Sequence, residues 1–418
     1  MSLRGLDPWE PLPHPEWLQR INGEADCFEL EALIPLDAES LINAACMATG
    51  LKDFGADHWR EPFEILSRAL DAEAELTLMG RLMARNDVLC WLTNRLSIEE
   101  TFRCHPEISD QVIKAPLFIC GLPRSGTSIL YELMAQDPSF RVPKTWEAIF
   151  PCPPPGPETS DSDQRVLRGH RIATQWNRVA PEFVTMHEMS GHIPCECGML
   201  MTQSFVSDQI ASLHQTPSYA AWFAGADMRS AYTDHRRLLQ LLQWKNPGRW
   251  LLKAPAHQNH LPILFETYPD AQVIQTHRDP IKCMASTTNL LGTLYWMRSD
   301  KSFDSSAFDN TMLAEAAAVR LEAVIDLTES GEIPPAQLFD SSYKALLEQP
   351  QDCVARIYRH FGMRLSEKTV EAMTQYLAAK PRHKYGEHRY QTGSDESICR
   401  DRALLARYQA YYNVPSEV

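Results

Sequence analysis

Apolar residues fall at helical spacing over much of the first hundred positions. Between Asp37 and Ser97 they recur three and four apart, with Phe63, Leu66 and Leu70 on one face and Leu89, Leu92 and Leu96 on another. Asp37 stands where a helix needs an N-cap, a short carboxylate able to accept a first-turn N–H. Residues 1 to about 36 are rich in proline and acidic side chains and hold no period, which predicts a segment wrapped on the surface. The helical pattern stops near Pro116, and no internal repeat is found.

After Pro116 the rhythm changes. Short apolar runs at Leu117–Cys120, Trp250–Lys253, Gln272–Thr276 and Gln337–Phe339 alternate with helical stretches. That alternation predicts a parallel sheet covered by helices. An insertion of about 151–245 separates the first two runs. It opens on Pro151-Cys-Pro-Pro-Pro-Gly-Pro157 and continues as helices to about Gln243. Ligands of open α/β sheets bind beyond the carboxyl ends of the strands, so an insertion leaving that edge is placed to cover a substrate. A basic loop at about 381–390 precedes a last helix around Leu404 to Tyr411. The expected organisation is an N-terminal helical region (1–113) and an α/β core (114–418) carrying the insertion.

Charge narrows the partners. With 40 Lys and Arg against 54 Asp and Glu, the formal net charge is −14. This excludes a broad nucleic-acid footprint or an anionic-membrane surface, so an anionic ligand must be held by a local basic cluster. Eleven cysteines, unevenly spaced and partly inside apolar patterns (Cys90, Cys120), predict reduced thiols and a cytoplasmic protein. The start, Met1-Ser-Leu-Arg-Gly-Leu-Asp-Pro, lacks the apolar core of a signal peptide, and no apolar run approaches a membrane span. A soluble chain without stable membrane insertion is expected, with its oligomeric state open.

The most specific segment is Ala115-Pro-Leu-Phe-Ile-Cys-Gly-Leu-Pro-Arg-Ser-Gly-Thr-Ser128. An apolar run feeds a turn on Gly121, Pro123 and Gly126, and a helical pattern opens at Thr127 and continues through Leu130, Leu133 and Met134. Strand, glycine turn and helix aim backbone N–H groups and a helix N-terminus at a phosphate. The spacing is that of a nucleotide P-loop, except that Thr127 replaces the lysine of a triphosphatase and the positive charge sits at Arg124. The expected fold class is therefore α/β, a P-loop-like three-layer core. Three motifs reinforce the loop: Trp250-Leu-Leu-Lys-Ala-Pro-Ala-His257, Ala271-Gln-Val-Ile-Gln-Thr-His-Arg-Asp-Pro280 with Ser286 beyond it, and Leu338-Phe-Asp-Ser-Ser-Tyr343 followed by Leu346 and Pro350.

Together these residues resemble the sulfotransferases that use 3′-phosphoadenosine 5′-phosphosulfate (PAPS), above all the bacterial branch with Pro-Arg-Ser-Gly-Thr loops. The resemblance covers roughly 114–390. It implies that Arg124, Ser125, Gly126, Thr127 and Ser128 bind the 5′-phosphosulfate, and that Arg278 and Ser286, eight positions apart, bind the 3′-phosphate. Tyr343 would contact the adenine. Arg382, Lys384 and Gly386 of the basic loop would help hold the 3′-phosphate.

Sulfuryl transfer passes a group between two oxygens in line through a loose transition state, as phosphoryl transfer does. Charge grows on the bridging oxygen of the leaving nucleotide, and Arg124, Lys253 and backbone N–H groups are the expected stabilisers. No metal is required in principle. The acceptor hydroxyl needs a base, and the resemblance offers His257, ranked first for a pKa near neutrality, and Glu147 in Lys144-Thr-Trp-Glu147. Both depart from the family spacing, and His187 is a third option.

His187, His192, Cys195 and Cys197 do not match zinc-site spacing, and the two cysteines read as reduced, buried thiols. The Met and Phe content of the insertion reads as helical core able to line an apolar pocket, so the expected acceptor is a hydroxyl on a small or lipid-like molecule. The alternatives are a P-loop kinase, which the missing loop lysine opposes, and a catalytically silent nucleotide-binding or scaffold protein.

Overall fold

The computed structural model describes residues 11–301, 303, 313–381, 384–386, 388 and 390–418. Five strands form one parallel sheet in the order β2-β3-β1-β4-β5: β1 Leu117–Gly121, β2 Phe140–Arg141, β3 Arg249–Lys253, β4 Gln272–His277 and β5 Leu338–Ser342. Parallel neighbours need crossovers, and the helices between the strands supply them. β1 lies in the middle, pairing with β3 and β4, and all five of its residues are buried. Register sets Ile119 beside Lys253 and Gly121 beside Thr276, while His277 of β4 pairs with Ser342 of β5. The phosphate-loop glycine, Lys253, Arg278 and Tyr343 therefore leave the sheet at one edge.

Successive residues of β1 serve opposite layers, as a strand's period of two requires. Leu117 and Ile119 pack with Leu130, Leu133 and Ile357, whereas Phe118 and Cys120 pack with Tyr232, Leu238 and Leu252. This is the expected three-layer α/β core. Two strands differ from expectation. β2 is only two residues long and carries no readable period, and β5 runs on through the polar Asp340, Ser341 and Ser342 because it pairs along β4 as far as His277. The tail breaks at Leu405 into helices Asp395–Leu404 and Ala406–Tyr411.

Before the sheet come helices Ala38–Thr49, Arg60–Ala72 and Leu78–Cys104. Asp37 caps the first of them, accepting the Ser40 N–H at 2.8 Å. Their apolar faces are completed by Phe205, Ile210, Leu213 and Tyr219 from the insertion. Phe205 sits at φ +58, a left-handed conformation rare for a bulky residue, with its ring against Trp59, Phe63 and Trp91. The Tyr219 hydroxyl donates to the Phe205 carbonyl at 2.8 Å and fixes that corner. Among the described residues no helix is long and apolar enough to cross a membrane.

Candidate active site

The loop after β1 is shaped by two glycines with positive φ, Gly121 at +140 and Gly126 at +97. A Cβ on Gly121 would lie 2.4 Å from Thr276 Oγ1, and one on Gly126 would lie 2.7 Å from the Tyr343 ring. Neither space admits a side chain. Ser125 stabilises the turn from inside: its hydroxyl donates to the Leu122 carbonyl at 2.6 Å and meets Thr276 Oγ1 at 2.6 Å, and its N–H bonds Leu122 O at 3.1 Å. Helix Thr127–Met134 follows, its first backbone bond running from the Leu130 N–H to Gly126 O. Among the described residues, the N–H groups of Thr127, Ser128 and Ile129 have no backbone acceptor, the usual condition of a helix start that receives an anion.

Lys253 ends β3 with 2% exposure. Its Nζ donates to Ser128 Oγ at 3.2 Å and forms an ion pair with Glu196. Glu196 is half-buried at the N-cap position of helix Cys197–Met201. Burial pushes its carboxyl up, but Lys253, His187 and Arg124 together hold it below the usual range. His187 is half-buried, and its ring has no hydrogen-bond partner among the described residues. Burial pushes its pKa down to about 4. Glu196 opposes that shift, while Lys253 and Arg124 add to it. The imidazole is therefore neutral at pH 7.

Arg124, at φ +69, ties the loop to both neighbouring layers. Its Nε donates to Ser286 Oγ at 3.1 Å and its Nη1 to the Met186 carbonyl at 2.6 Å. Arg278 follows β4. Its guanidinium lies 4.3 Å from the Tyr343 ring centroid, its Nη1 donates to the Arg124 carbonyl at 3.0 Å, and its Nε and Nη2 meet the Glu417 carboxylate, each at 2.8 Å. Burial lowers the Arg278 pKa, but Glu417 together with Tyr343 and Cys283 outweighs it and the net shift is upward. Ser286 lies on helix Pro280–Trp296 and faces His388 Nδ1 at 3.4 Å.

The structure thus gathers Arg124, Ser128, Lys253, Arg278, Ser286 and Tyr343 at one edge, with Thr127 buried at the helix start. Ser125 builds the turn with its hydroxyl and is not presented to a ligand. The two highest-ranked bases are both buried and bonded to other groups. His257 is 2% exposed, its Nδ1 bonded to the Tyr232 hydroxyl at 2.7 Å and its ring edge-on to Phe118. Burial, then His235 and His260, hold its pKa well below the ordinary value. Glu147 is also 2% exposed and is consumed by a two-point pair with Arg141 (3.1 and 2.6 Å) and by the Lys144 N–H at 2.8 Å. Spacing along the chain carries no sign of such burial, and the ranking of His257 and Glu147 is revised for that reason.

Lys384 is exposed, its Nζ 5.2 Å from the Tyr385 ring, and Arg382 lies outside the described residues. Cys195 and Cys197 are core residues, while His192 is exposed. Among the described residues no group of three or more His, Cys, Asp or Glu is arranged around a metal ion. Glu196 and Glu417 were missed. Glu196 has a faint signal, as a lone charge in the run Cys195-Glu-Cys-Gly-Met-Leu-Met201. Glu417 has none.

A parallel sheet with a glycine loop at its central strand, ringed by Arg124, Lys253 and Arg278, defines a phosphate-loop transferase architecture. The chain belongs to the sulfotransferase family, whose profile matches residues 116–367. It is 31% identical to sulfotransferase STF1 from Mycobacterium tuberculosis, with a TM-score of 0.74 over 89% of this chain and 98% of that one. It is 27% identical to sulfotransferase STF9 from Mycobacterium avium, with a TM-score of 0.76 over 91% and 98%. It is also 24% identical over 281 residues to the omega-hydroxy-beta-dihydromenaquinone-9 sulfotransferase Stf3 of Mycobacterium bovis. That match spans 63% of this chain and 66% of the relative, just short of two thirds of its length.

Proposed function

We propose that this chain transfers a sulfuryl group from PAPS to a hydroxyl on an acceptor with an apolar body. The observation that carries the donor is the pairing of two cationic positions across the loop: Lys253 against Ser128 at the helix start, and Arg278 on the far side of the Arg124 backbone. The first suits a 5′-phosphosulfate and the second a 3′-phosphate, each held by charge-assisted bonds. The close approaches at Gly121 and Gly126 keep the loop backbone bare, as an anion seated on N–H groups requires.

In this reading the acceptor oxygen forms a bond to sulfur while the sulfur–oxygen bond to the nucleotide phosphate breaks. Lys253 and the N–H groups of Thr127 and Ser128 meet the charge that grows on the departing oxygen. His187 takes the acceptor's proton on a ring nitrogen, and Glu196, already its electrostatic partner, stabilises the imidazolium. His187, third in the order read from sequence, is preferred because its ring is neutral, partly accessible and without a hydrogen bond among the described residues.

A cavity of about 60 Å³ beside helix Leu78–Cys104 is lined by Trp91, Ile149, Ile172, Trp176, Met189 and Met199 together with the polar Asn86, Asp87, Thr202 and Gln209; it is too small to hold an acceptor, and the apolar reading rests on the Met and aromatic side chains around it. Met189 follows His187 by two residues, and Met199 lies on the helix that Glu196 begins. The relative Stf3, named for a hydroxylated menaquinone, agrees with that chemistry. Incubation with ³⁵S-labelled PAPS and alcohols of graded chain length tests the reading. Label should move to the long-chain alcohols, and transfer confined to short polar alcohols would refute the apolar acceptor.

A further inference from the structure

Arg278 is the residue on which the 3′-phosphate reading rests, and its side chain is immobilised on three sides. Tyr343 covers one face, the Arg124 carbonyl takes Nη1, and Glu417 takes the Nε–Nη2 edge in a two-point pair. An arginine has five N–H donors. Three are engaged here, so one N–H on each terminal nitrogen stays uncommitted among the described residues.

We propose that Glu417 is a positioning residue of the donor site, orienting the Arg278 guanidinium so that its remaining donors meet the 3′-phosphate. The inference rests on the donor reading above. The segment that brings Glu417 to Arg278 is built into the fold. Tyr408 and Tyr412 pack on His277 at the end of β4, the former by a 3.0 Å hydrogen bond and the latter by stacking at 3.8 Å. Val414 is 7% exposed, and its N–H bonds the Gln409 carbonyl at 2.8 Å.

The Glu417 N–H then donates to Asp279 Oδ2 at 2.6 Å. Asp279, wholly buried, also pairs with Arg402 (2.8 and 3.0 Å) and accepts the Ile281 N–H at the start of the helix that carries Ser286. One network thus holds Glu417, Arg278 and the helix of Ser286 together. A flexible arginine loses much rotamer freedom when it grips a phosphate, and a partner that fixes it beforehand removes that penalty. A carboxylate beside a phosphate site could instead compete with the ligand, which predicts the opposite outcome.

The test compares 3′-phosphoadenosine 5′-phosphate (PAP) with adenosine 5′-phosphate, which lacks the 3′-phosphate, by calorimetry on the full chain. In Glu417→Ala, affinity for PAP should fall roughly tenfold while affinity for adenosine 5′-phosphate is unchanged. Glu417→Gln, which keeps an acceptor for one guanidinium nitrogen, should recover part of the loss. A general structural role would weaken both nucleotides together and leave their ratio intact. An unchanged ratio in Glu417→Ala, or tighter PAP binding, overturns the inference while the donor reading stands. A wild-type chain with no preference for PAP overturns the donor reading and this inference with it.

Discussion

Removing the Lys253 ammonium takes away a side-chain cation seated against Ser128, yet leaves Arg278 and the loop backbone for the nucleotide. Lys253→Ala should therefore lower kcat by about 10²–10³ and weaken PAP binding without abolishing it, as single-turnover kinetics and calorimetry would show. His187→Ala should lower kcat by about 10²-fold or more, whereas His257→Ala should act mainly on stability. Steady-state assays of the two purified variants decide between those positions. With the His187 pKa pushed down to about 4, the base is unprotonated across the neutral range. The acid limb of kcat/KM should lie well below pH 6.5, rising as the pH passes through about 4. An acid limb at 6.5 would point to another base. Residue chemistry was legible where spacing carries meaning, as with Arg278 and Ser286 at eight positions. It was not legible where burial decides, since nothing along the chain shows that His257 faces Tyr232 and Phe118.

At the scale of elements, the glycine loop is the part least tolerant of change. Gly126→Ala places a methyl group in the Tyr343 ring at a φ of +97, so the loop or Tyr343 must move. PAP binding should weaken by at least tenfold while the far-UV spectrum stays native, measured by calorimetry and circular dichroism. The second sensitive element is the Phe205 corner, where the insertion plugs the N-terminal helices. Phe205→Ala should destabilise the fold by about 3–5 kcal/mol in chemical denaturation. The strands with apolar runs and the Asp37 cap were readable in advance because period and cap residues are local properties. β2 was not, because two residues paired at a sheet edge leave no pattern. The polar end of β5 was also hidden, because pairing with β4 and not its own hydrophobicity makes it a strand.

Across the whole molecule, two consequences follow from charge and burial. A net charge of −14 surrounds a small basic site, so nucleotide affinity depends on the local cluster and should fall with ionic strength. Several histidines are buried in the neutral form: His235 is pushed down to about 3, and His257 and His214 well below 6.5, all chiefly by burial. Their folded pKa values lie below the unfolded one, so the unfolded chain binds more protons as pH falls below about 6.5. Stability should decline from pH 7 toward pH 4, and His257→Gln should flatten that slope in thermal melts. That a long helical stretch separates the strands β1 and β3 was recognisable from the distance between their apolar runs. Its partnership with the N-terminal helices was not, since Phe205, Ile210 and Leu213 carry no mark of the distant surface they complete.

The central claim is that the loop and Arg278 together bind an adenosine nucleotide with phosphates at both the 5′ and 3′ positions. It is tested most directly by thermal shift of the wild-type chain with PAP and, in parallel, with ATP and Mg²⁺. PAP should raise the melting temperature by several degrees, about what saturation with a micromolar ligand produces, and ATP with Mg²⁺ should not. Protection by ATP and Mg²⁺ with none by PAP would contradict the account.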